Sequence, residues 1–270
     1  MDYFSYRFIT EQPDIIVAFL SEHPFDTFEP TDTGIAAYIP ADQDSPTVAA
    51  AASDLAQRFA SHLEIQHIPA QNWNAVWEAG FQPIRVDDFV GIRADFHPPT
   101  EGVRFDLLIN PKMAFGTGHH ATTYQMMRAM RALDFASKKV LDYGCGTGIL
   151  AILAKKLGAD QVDAVDIEQP SYENTLVNAE LNNTPDIRAI HGTLDDISDD
   201  GYGIILANIN RHVILASLAE LRRKLAPNGA LLLSGILLAD EQLVMDALAT
   251  HGYTLRGHSE REGWLCLVSA

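Results

Sequence analysis

The sequence has little cysteine and lacks any long apolar run. Its two cysteines, Cys145 and Cys266, allow at most one disulfide and offer no metal-ligand spacing, so we interpret both as reduced, buried side chains. No apolar run approaches the roughly 20 residues that span a bilayer. The first residues also lack the basic start and apolar stretch of a signal peptide. We therefore expect no membrane segment and a cytoplasmic location.

Basic residues are also scarce, because 19 Lys and Arg face 36 Asp and Glu, which gives a net charge of −17. A surface this negative repels phosphate backbones, so we expect no direct nucleic-acid binding and an attraction for basic partners. Acidic composition also serves solubility alone, and a local basic patch can be hidden in the average. The apolar fraction of 47% is that of an ordinary globular protein, which we expect to be a monomer.

Residues 1–68 are predicted to form a small α+β domain. Strand and helix patterns follow one another in the order β-α-β-β-α-β, which is typical of a ferredoxin-like sandwich. A connector follows over residues 69–80 and carries Trp73 and Trp77, which we interpret as packing residues on one face of a helical turn. Residues 81–270 are then predicted to form a second, larger domain.

From residue 121 onward, predicted strands alternate with predicted helices. This alternation is typical of a Rossmann-like parallel sheet that is covered by helices on both faces, so the fold class is α/β. A helix over 212–225 is expected to end before a strand at 230–234. The last two strands, 252–255 and 264–268, flank a polar turn and are predicted to form a terminal antiparallel hairpin.

A glycine-rich turn is the sharpest motif. The strand at 140–142 leads into Gly144, Gly146 and Gly148, and glycine permits both a tight turn and a close approach of the backbone to a ligand. Asp166 ends the next predicted strand, 22 residues beyond Gly144. A carboxylate at that position accepts hydrogen bonds from ribose hydroxyls. The turn and the acid together predict a site for a nucleoside.

The spacing of the glycines indicates which nucleoside cofactor binds. Ile149 occupies the third glycine position of the dinucleotide fingerprint G-x-G-x-x-G. A phosphate-binding loop is excluded because no Gly-Lys-Ser/Thr sequence follows. S-adenosylmethionine contains an adenosine and no pyrophosphate, and we therefore predict it as the cofactor.

Four segments resemble the bacterial ribosomal-protein methyltransferase A (PrmA) family, which methylates large-subunit ribosomal protein eleven. They are Met113–Thr123, Val140–Gly148, Leu206–Ile209 and Leu233–Ile236. The resemblance implies a class I methyltransferase sheet, which is Rossmann-like, and a ferredoxin-like N-terminal domain that recognises the substrate. Ala121 and the pair Asn210-Arg211 depart from the family's pattern, at a loop and at the expected substrate entrance.

The same resemblance implies roles for individual residues around S-adenosylmethionine. Phe115, Gly116, Thr117 and Thr123 are expected to close over the methionine end of the cofactor. Gly144 is expected to approach it with its backbone, Asp166 to hold the ribose, and Asn208 to lie beside the reacting methyl group. Gly146, in the same glycine turn, is a further candidate for cofactor binding.

Asn208 is the candidate catalytic residue. The nucleophile in methyl transfer is a neutral amine, whereas a lysine has a reference pKa of about 10.4 and is mostly protonated at neutral pH. The side-chain carbonyl of Asn208, with the backbone carbonyl of Ile209 as a second acceptor, is suited to orient the amine while its proton leaves to water. The alternative is that Asn208 only ties down its own turn.

Two interpretations are open for Asp142, and two for the pair Asp195 and Asp196. Asp142 either contacts the ammonium of the cofactor or fixes the turn by accepting hydrogen bonds from backbone amides. Asp195 and Asp196 either border the adenine or form a solvated turn. His119 and His120 point in different directions and have no third ligand at a recognisable spacing, so we expect no metal site.

Three functions are compatible with these motifs. The favoured one is a protein N-methyltransferase that modifies lysine and α-amino groups of ribosomal protein eleven, a basic partner suited to an acidic enzyme. The alternative is a methyltransferase for RNA or a small molecule; RNA is disfavoured by the charge and by the absence of an Asn-Pro-Pro-Tyr loop. A ribosome-docking adaptor without catalysis is disfavoured by the intact cofactor motifs.

Overall fold

The structure is a computed structural model that describes residues 2–68, 82–110 and 115–270. The chain divides into two compact units, Met1–Gly80 and Phe81–Ala270. The predicted connector at 69–80 lies outside the described residues. None of the helices in the described ranges combines the length and the apolar character that a membrane crossing requires.

The first unit is a four-stranded antiparallel sheet with two helices packed on one face. Its core joins Tyr6, Phe8 and Ile39 of the sheet to Ile16 and Leu55 of the helices. The strands pair in the order β2-β3-β1-β4, which is the ferredoxin-like arrangement that the β-α-β-β-α-β order predicts. The elements are β1 (Tyr3–Ile9), α1 (Pro13–Leu20), β2 (Thr27–Thr31), β3 (Gly34–Pro40), α2 (Pro46–Arg58) and β4 (His62–Ile68).

The second unit is built on a seven-stranded sheet with strand order β10-β9-β8-β11-β12-β14-β13. Five strands are parallel, and the terminal hairpin of β13 and β14 is antiparallel, as predicted. The strands are β8 (Lys139–Tyr143), β9 (Gln161–Asp166), β10 (Arg188–His191), β11 (Tyr202–Asn208), β12 (Leu225–Leu237), β13 (Leu255–Arg261) and β14 (Trp264–Ser269). The helices are α3 (Ala121–Met130), α4 (Ile149–Lys156), α5 (Gln169–Leu181), α6 (Arg211–Lys224) and α7 (Glu241–Thr250). A small sheet of β5 (Ile84–Val86), β6 (Val90–Arg93) and β7 (Phe105–Leu108) precedes them.

Helices bury both faces of the large sheet. Val140 belongs to the core that contains residues of α3, α4 and α5, whereas its neighbour Leu141 belongs to the core with α6 and α7. Adjacent strand residues thus point to opposite cores, which explains why the strands are nearly continuous apolar runs. The chain order reverses at β8, which lies between β9 and β11. Ligands of open α/β sheets bind at such a reversal, outside the carboxyl ends of the strands.

Two predicted boundaries were wrong. The strand expected at 230–234 runs from Leu225 to Leu237, and it includes Pro227, Asn228 and Gly229, which are residue types that favour turns. The hairpin strand expected to begin at Gly252 begins at Leu255. Gly252 has a φ of 75° and ends α7, because the N–H of Tyr253 returns to the carbonyl of Leu248 at 3.0 Å. Strand pairing in the first case and helix capping in the second override the local turn preference of these residues.

A buried carboxylate at the amino-end side of the sheet makes a stability prediction possible. Asp163 is fully buried, and Arg188 donates two hydrogen bonds to it at 2.9 and 2.8 Å. We expect Arg188→Ala to lower the free energy of unfolding by about 3 kcal/mol, because it leaves a buried charge poorly compensated. Urea denaturation measures this change. Arg223→Ala is the matched control, because Arg223 pairs with Glu220 on the surface and should contribute less than about 1 kcal/mol. Equal losses in the two variants would contradict the prediction.

Candidate active site

A cleft of about 650 Å³ opens at the carboxyl ends of the central parallel strands. Tyr143 ends β8, Asp166 ends β9 and Asn208 ends β11, and all three line the cleft. Its volume is in the range of small-molecule sites, and its position is the one expected where the strand order reverses.

The glycine turn forms one wall of the cleft, and its neighbours require glycine. Gly144 has a φ of 75°, and a Cβ on it would lie 2.2 Å from Cγ2 of Ile209. Gly146 has a φ of 55°, and a Cβ on it would lie 2.2 Å from the carbonyl oxygen of Phe115. Gly144 and Gly146 therefore expose backbone to the cleft and also admit two neighbouring loops. A side chain at either position would displace them.

The loop at 115–117 is tied to the glycine turn. The hydroxyl of Thr147 donates to the carbonyl of Gly116 at 2.6 Å, and the N–H of Thr147 donates to that of Phe115 at 2.9 Å. Phe115 lines the cleft and is 57% exposed. Gly116 and Thr117 are not among the described lining residues, and the Thr117 hydroxyl lies 2.9 Å from Nδ1 of His119. Phe115 is thus the member of this predicted group that lines the cleft.

Asp166 holds two backbone amides and faces the cleft. Oδ2 accepts from the N–H of Gly146 at 2.9 Å, and Oδ1 accepts from the N–H of Glu168 at 3.0 Å. A carboxylate has about four acceptor sites, so both oxygens can still accept from ribose hydroxyls. The apolar side chains of Ile167 and Pro170 line the cleft beside it and offer contact area for a flat base. The geometry is compatible with the role predicted for Asp166.

Asn208 has a buried acceptor that no described residue satisfies. Its amide nitrogen donates to the hydroxyl of Thr123 at 3.2 Å, whereas its Oδ1 is buried and accepts no hydrogen bond from residues 2–68, 82–110 or 115–270. Thr123 is fully buried in the first turn of α3 and is not among the described lining residues. Its contact therefore orients the Asn208 amide. Buried polar groups are nearly always paired, so a carbonyl that no described residue satisfies is suited to accept from a donor in the cleft.

Asp142 lies behind the glycine turn. It is 1% exposed, is not among the described lining residues, and its Oδ2 accepts from the N–H of Ala151 at 3.0 Å. This bond to a backbone amide corresponds to the second interpretation, in which Asp142 fixes the turn. Contact with the ammonium of the cofactor stays a prediction. Burial raises the pKa of Asp142 to about 7, and the nearby charge of Asp166 adds to that shift.

The shifted pKa of Asp142 predicts a pH dependence of stability. Between about pH 4 and pH 7 the unfolded chain has lost a proton that the folded chain keeps, because the pKa rises from 3.8 to about 7 on folding. The free energy of unfolding should therefore fall as the pH rises through this window, by on the order of a few kcal/mol at about 1.4 kcal/mol per pKa unit. Asp142→Asn keeps an acceptor and cannot ionise, so its melting temperature should fall less over that window. Parallel curves of melting temperature against pH for the two proteins would disprove this assignment.

Sequence reasoning did not predict that two aromatic residues would line the cleft. The His120 ring lies 4.8 Å from the Trp264 ring and 5.5 Å from the Phe115 ring, and all three line the cleft. His120 also caps α3, since its ring nitrogen accepts from the N–H of Thr122 at 3.3 Å. Trp264 begins β14, which pairs between β12 and β13, and no local signal reveals that this end of the strand reaches the cleft.

The carboxylate pair at 195 and 196 lies away from the cleft. Asp195 and Asp196 are exposed in a short 3-10 turn, where Asp196 accepts from the N–H of Thr193 at 2.8 Å, and neither is among the described lining residues. This exposed position corresponds to the second interpretation, in which Asp195 and Asp196 form a solvated turn. Within residues 2–68, 82–110 and 115–270, no three His, Cys, Asp or Glu side chains are grouped as metal ligands would be.

The strand order with an antiparallel β14 next to β12, together with the glycine turn and Asp166, defines a class I methyltransferase. The chain belongs to the family described as ribosomal protein L11 methyltransferase (PrmA), which it matches over residues 11–270.

Relatives with that name support the assignment over almost the full length. The chain is 38% identical to a ribosomal protein L11 methyltransferase of Porphyromonas gingivalis, covering 99% of this chain and 97% of the relative. It is 34% identical to one of Bacteroides fragilis, covering 98% of each. A crystal structure of ribosomal protein L11 methylase from Lactobacillus delbrueckii subsp. bulgaricus superposes with a TM-score of 0.64 and 29% identity, over 70% of this chain and 98% of that one.

The cofactor of this enzyme is S-adenosylmethionine, and the cleft suits it. The described lining residues include the carboxylates of Asp166 and Glu168 and no Lys or Arg. A site with this charge favours a cationic sulfonium and disfavours a pyrophosphate. Oδ1 of Asn208, which has no partner in the part of the chain that the structure describes, adds an acceptor at the same cleft.

Proposed function

We propose that this chain transfers methyl groups from S-adenosylmethionine to ribosomal protein L11, at lysine side chains and at an α-amino group. The observation that carries the choice of an amine is the free carbonyl oxygen of Asn208, which is buried at the cleft and faces no donor within the described chain. The names of the relatives support L11 as the substrate. The net charge of −17 suits a basic protein of this kind.

The bound cofactor supplies a methyl group that is already activated by a sulfonium, so the protein has mainly to bind and orient. Asp166 holds the ribose. Oδ1 of Asn208 accepts a hydrogen bond from the neutral amine and directs its lone pair toward the methyl group. Thr123 keeps the Asn208 carbonyl turned toward the substrate by accepting from the amide nitrogen. The proton released by the ammonium leaves to water before the displacement.

The aromatic side chains complete the substrate end of the site. The His120 ring meets both the Trp264 ring and the Phe115 ring edge to face. Aromatic faces exclude water and attract a cationic amine. We assign these three rings to the wall along which a lysine side chain enters. Asn210, which differs from the family's pattern, also lines the cleft, and we place it at the same entrance.

The domain roles belong to the same proposal. The ferredoxin-like domain at 1–68 recognises L11, the segment at 69–80 connects, and residues 81–270 bind the cofactor and catalyse. The enzyme works as a cytoplasmic monomer and makes no direct contact with nucleic acid. Light scattering during size-exclusion chromatography tests the monomer, and a dimer mass would contradict it.

The test of the function uses methyl-labelled S-adenosylmethionine with purified L11 and, separately, with ribosomes. Mass spectrometry of the products should place the label on lysine and α-amino nitrogens of L11. Asp195→Ala is a control variant, because Asp195 is exposed and is not among the described lining residues, and it should retain full activity. Label in RNA, or in no macromolecule, would reject the proposal, and label on other L11 side chains would reject the role given to the amine.

A further inference from the structure

A second cavity, of about 490 Å³, lies in the same unit and shares no described lining residue with the cofactor cleft. It is lined by Gly203 and Ile204, where β11 begins, whereas Asn208 ends that strand at the cleft. A strand rises about 3.3 Å per residue, so the two sites are separated by about 13 Å along β11. The mechanism proposed above makes no use of this cavity.

Apart from the buried thiol of Cys266, the ionisable side chains that line the second cavity are basic. They are Arg128 of α3, Lys138 in the turn before β8, and Arg256 and His258 of β13, with no Asp or Glu among the described lining residues. Ala270 also lines the cavity. A cavity lined by several basic side chains and no acidic ones is unexpected in a chain with a net charge of −17.

Two of the four basic groups are available to a ligand. His258 lies 3.3 Å from Glu241, and Arg128 lies 3.7 Å from Asp87. Within the described part of the chain, the side chains of Lys138 and Arg256 make no hydrogen bond or ion pair. A pair of free cations that come from separate elements and line one cavity is an arrangement that binds an anionic group.

The packing around Lys138 positions its ammonium. A Cβ on Gly203 would lie 3.1 Å from Cδ and 3.2 Å from Cβ of Lys138, so the aliphatic stem of the lysine lies against this glycine. The rest of the lining is largely apolar and includes Ile204, Cys266 and Val268. The cavity thus combines cations with an apolar surface that suits a flat, weakly polar body.

We propose that this second cavity binds a small organic phosphate, a phosphate ester with an apolar or aromatic body such as a nucleoside diphosphate. Arg256 supplies a planar fork for the phosphate oxygens, and Lys138 supplies a point charge. The volume suits a small molecule and is modest for a peptide. The proposal does not depend on the methylation substrate, because its test measures binding.

The test is calorimetric titration with ADP, in the presence of saturating S-adenosylhomocysteine so that the adenosine site of the cleft is filled. We expect ADP to bind the native protein, and inorganic pyrophosphate and adenosine to bind at least about tenfold more weakly, since each lacks one half of the ligand. Binding should weaken as salt is raised.

Variants locate the site. Lys138→Gln with Arg256→Gln should weaken ADP binding at least about tenfold. Gly203→Ala, which changes no charge, should weaken it about threefold by displacing the Lys138 stem. Arg7→Gln with Lys156→Gln removes the same charge elsewhere and should change it less than about twofold. Melting temperatures and methylation should be unchanged in the Lys138 and Arg256 variant. Absence of ADP binding, equal losses in the two double variants, or equally tight binding of pyrophosphate or adenosine would overturn the proposal.

Discussion

Asn208→Ala is expected to lower kcat for methyl transfer by about 100-fold while leaving the affinity for S-adenosylmethionine within about threefold of the native value. Alanine removes Oδ1, an acceptor that no described residue satisfies, and it removes the amide donor that holds the Thr123 hydroxyl. The amine would then lack an acceptor that fixes the direction of its lone pair, and misorientation of a nucleophile costs about two orders of magnitude. The adenosine end of the cofactor contacts other residues, so cofactor binding should be spared.

Single-turnover kinetics and calorimetry with the cofactor measure the two effects separately. Asn208→Asp keeps an oxygen acceptor and should retain more activity than Asn208→Ala. Thr123→Val keeps the Asn208 carbonyl and removes the hydroxyl that accepts from the Asn208 amide nitrogen, so its kcat should lie between those of the native enzyme and Asn208→Ala. A kcat within about threefold of the native value in Asn208→Ala would show that Asn208 only ties down its turn.

Asp166→Ala is expected to weaken S-adenosylmethionine binding by about 100-fold or more. Two hydrogen bonds from ribose hydroxyls to a carboxylate are worth about 1.5–3 kcal/mol each, and about 1.4 kcal/mol corresponds to a factor of ten. The N–H of Gly146 donates to Asp166 at 2.9 Å, so the variant also removes a hydrogen bond that holds the glycine turn in place. Both effects weaken cofactor binding, which precedes methyl transfer.

Calorimetric titration with S-adenosylhomocysteine measures this loss without turnover. Asp195→Ala removes a carboxylate from an exposed turn after the neighbouring strand, β10, and serves as the control for charge. Its affinity should match that of the native protein. Melting temperatures of the variants show whether the turn has unfolded. If Asp166→Ala and Asp195→Ala bound equally well, the ribose would have to lie elsewhere.

The sequence predicted those parts of the site that depend on contiguous residues. The glycine turn joins β8 to α4 directly, and Asp166 ends the next strand, so a strand-turn-helix pattern and one spacing were enough to bring them together. The ferredoxin-like order of the first unit was also predictable, because its strands and helices carry clear apolar periods. Local patterns of this kind can be recognised in the sequence without knowledge of tertiary contacts.

Features that depend on distant pairing were not predictable. Thr123 and Asn208 are 85 residues apart, and only the packing of α3 onto the sheet brings the hydroxyl and the amide within 3.2 Å. Trp264 reaches the cleft because β14 inserts between β12 and β13, an order that apolar periodicity does not encode. The burial of Asp142 was equally hidden, since a carboxylate next to a glycine turn has the same sequence pattern whether it is exposed or enclosed.

A crystal structure of the protein with S-adenosylhomocysteine tests the central claim most directly. We predict that both ribose hydroxyls lie within hydrogen-bond distance of the Asp166 carboxylate, and that the sulfur faces the side of the cleft where Asn208 and Trp264 lie. A ribose held by other residues, or a sulfur that points away from Asn208, would contradict the site described here.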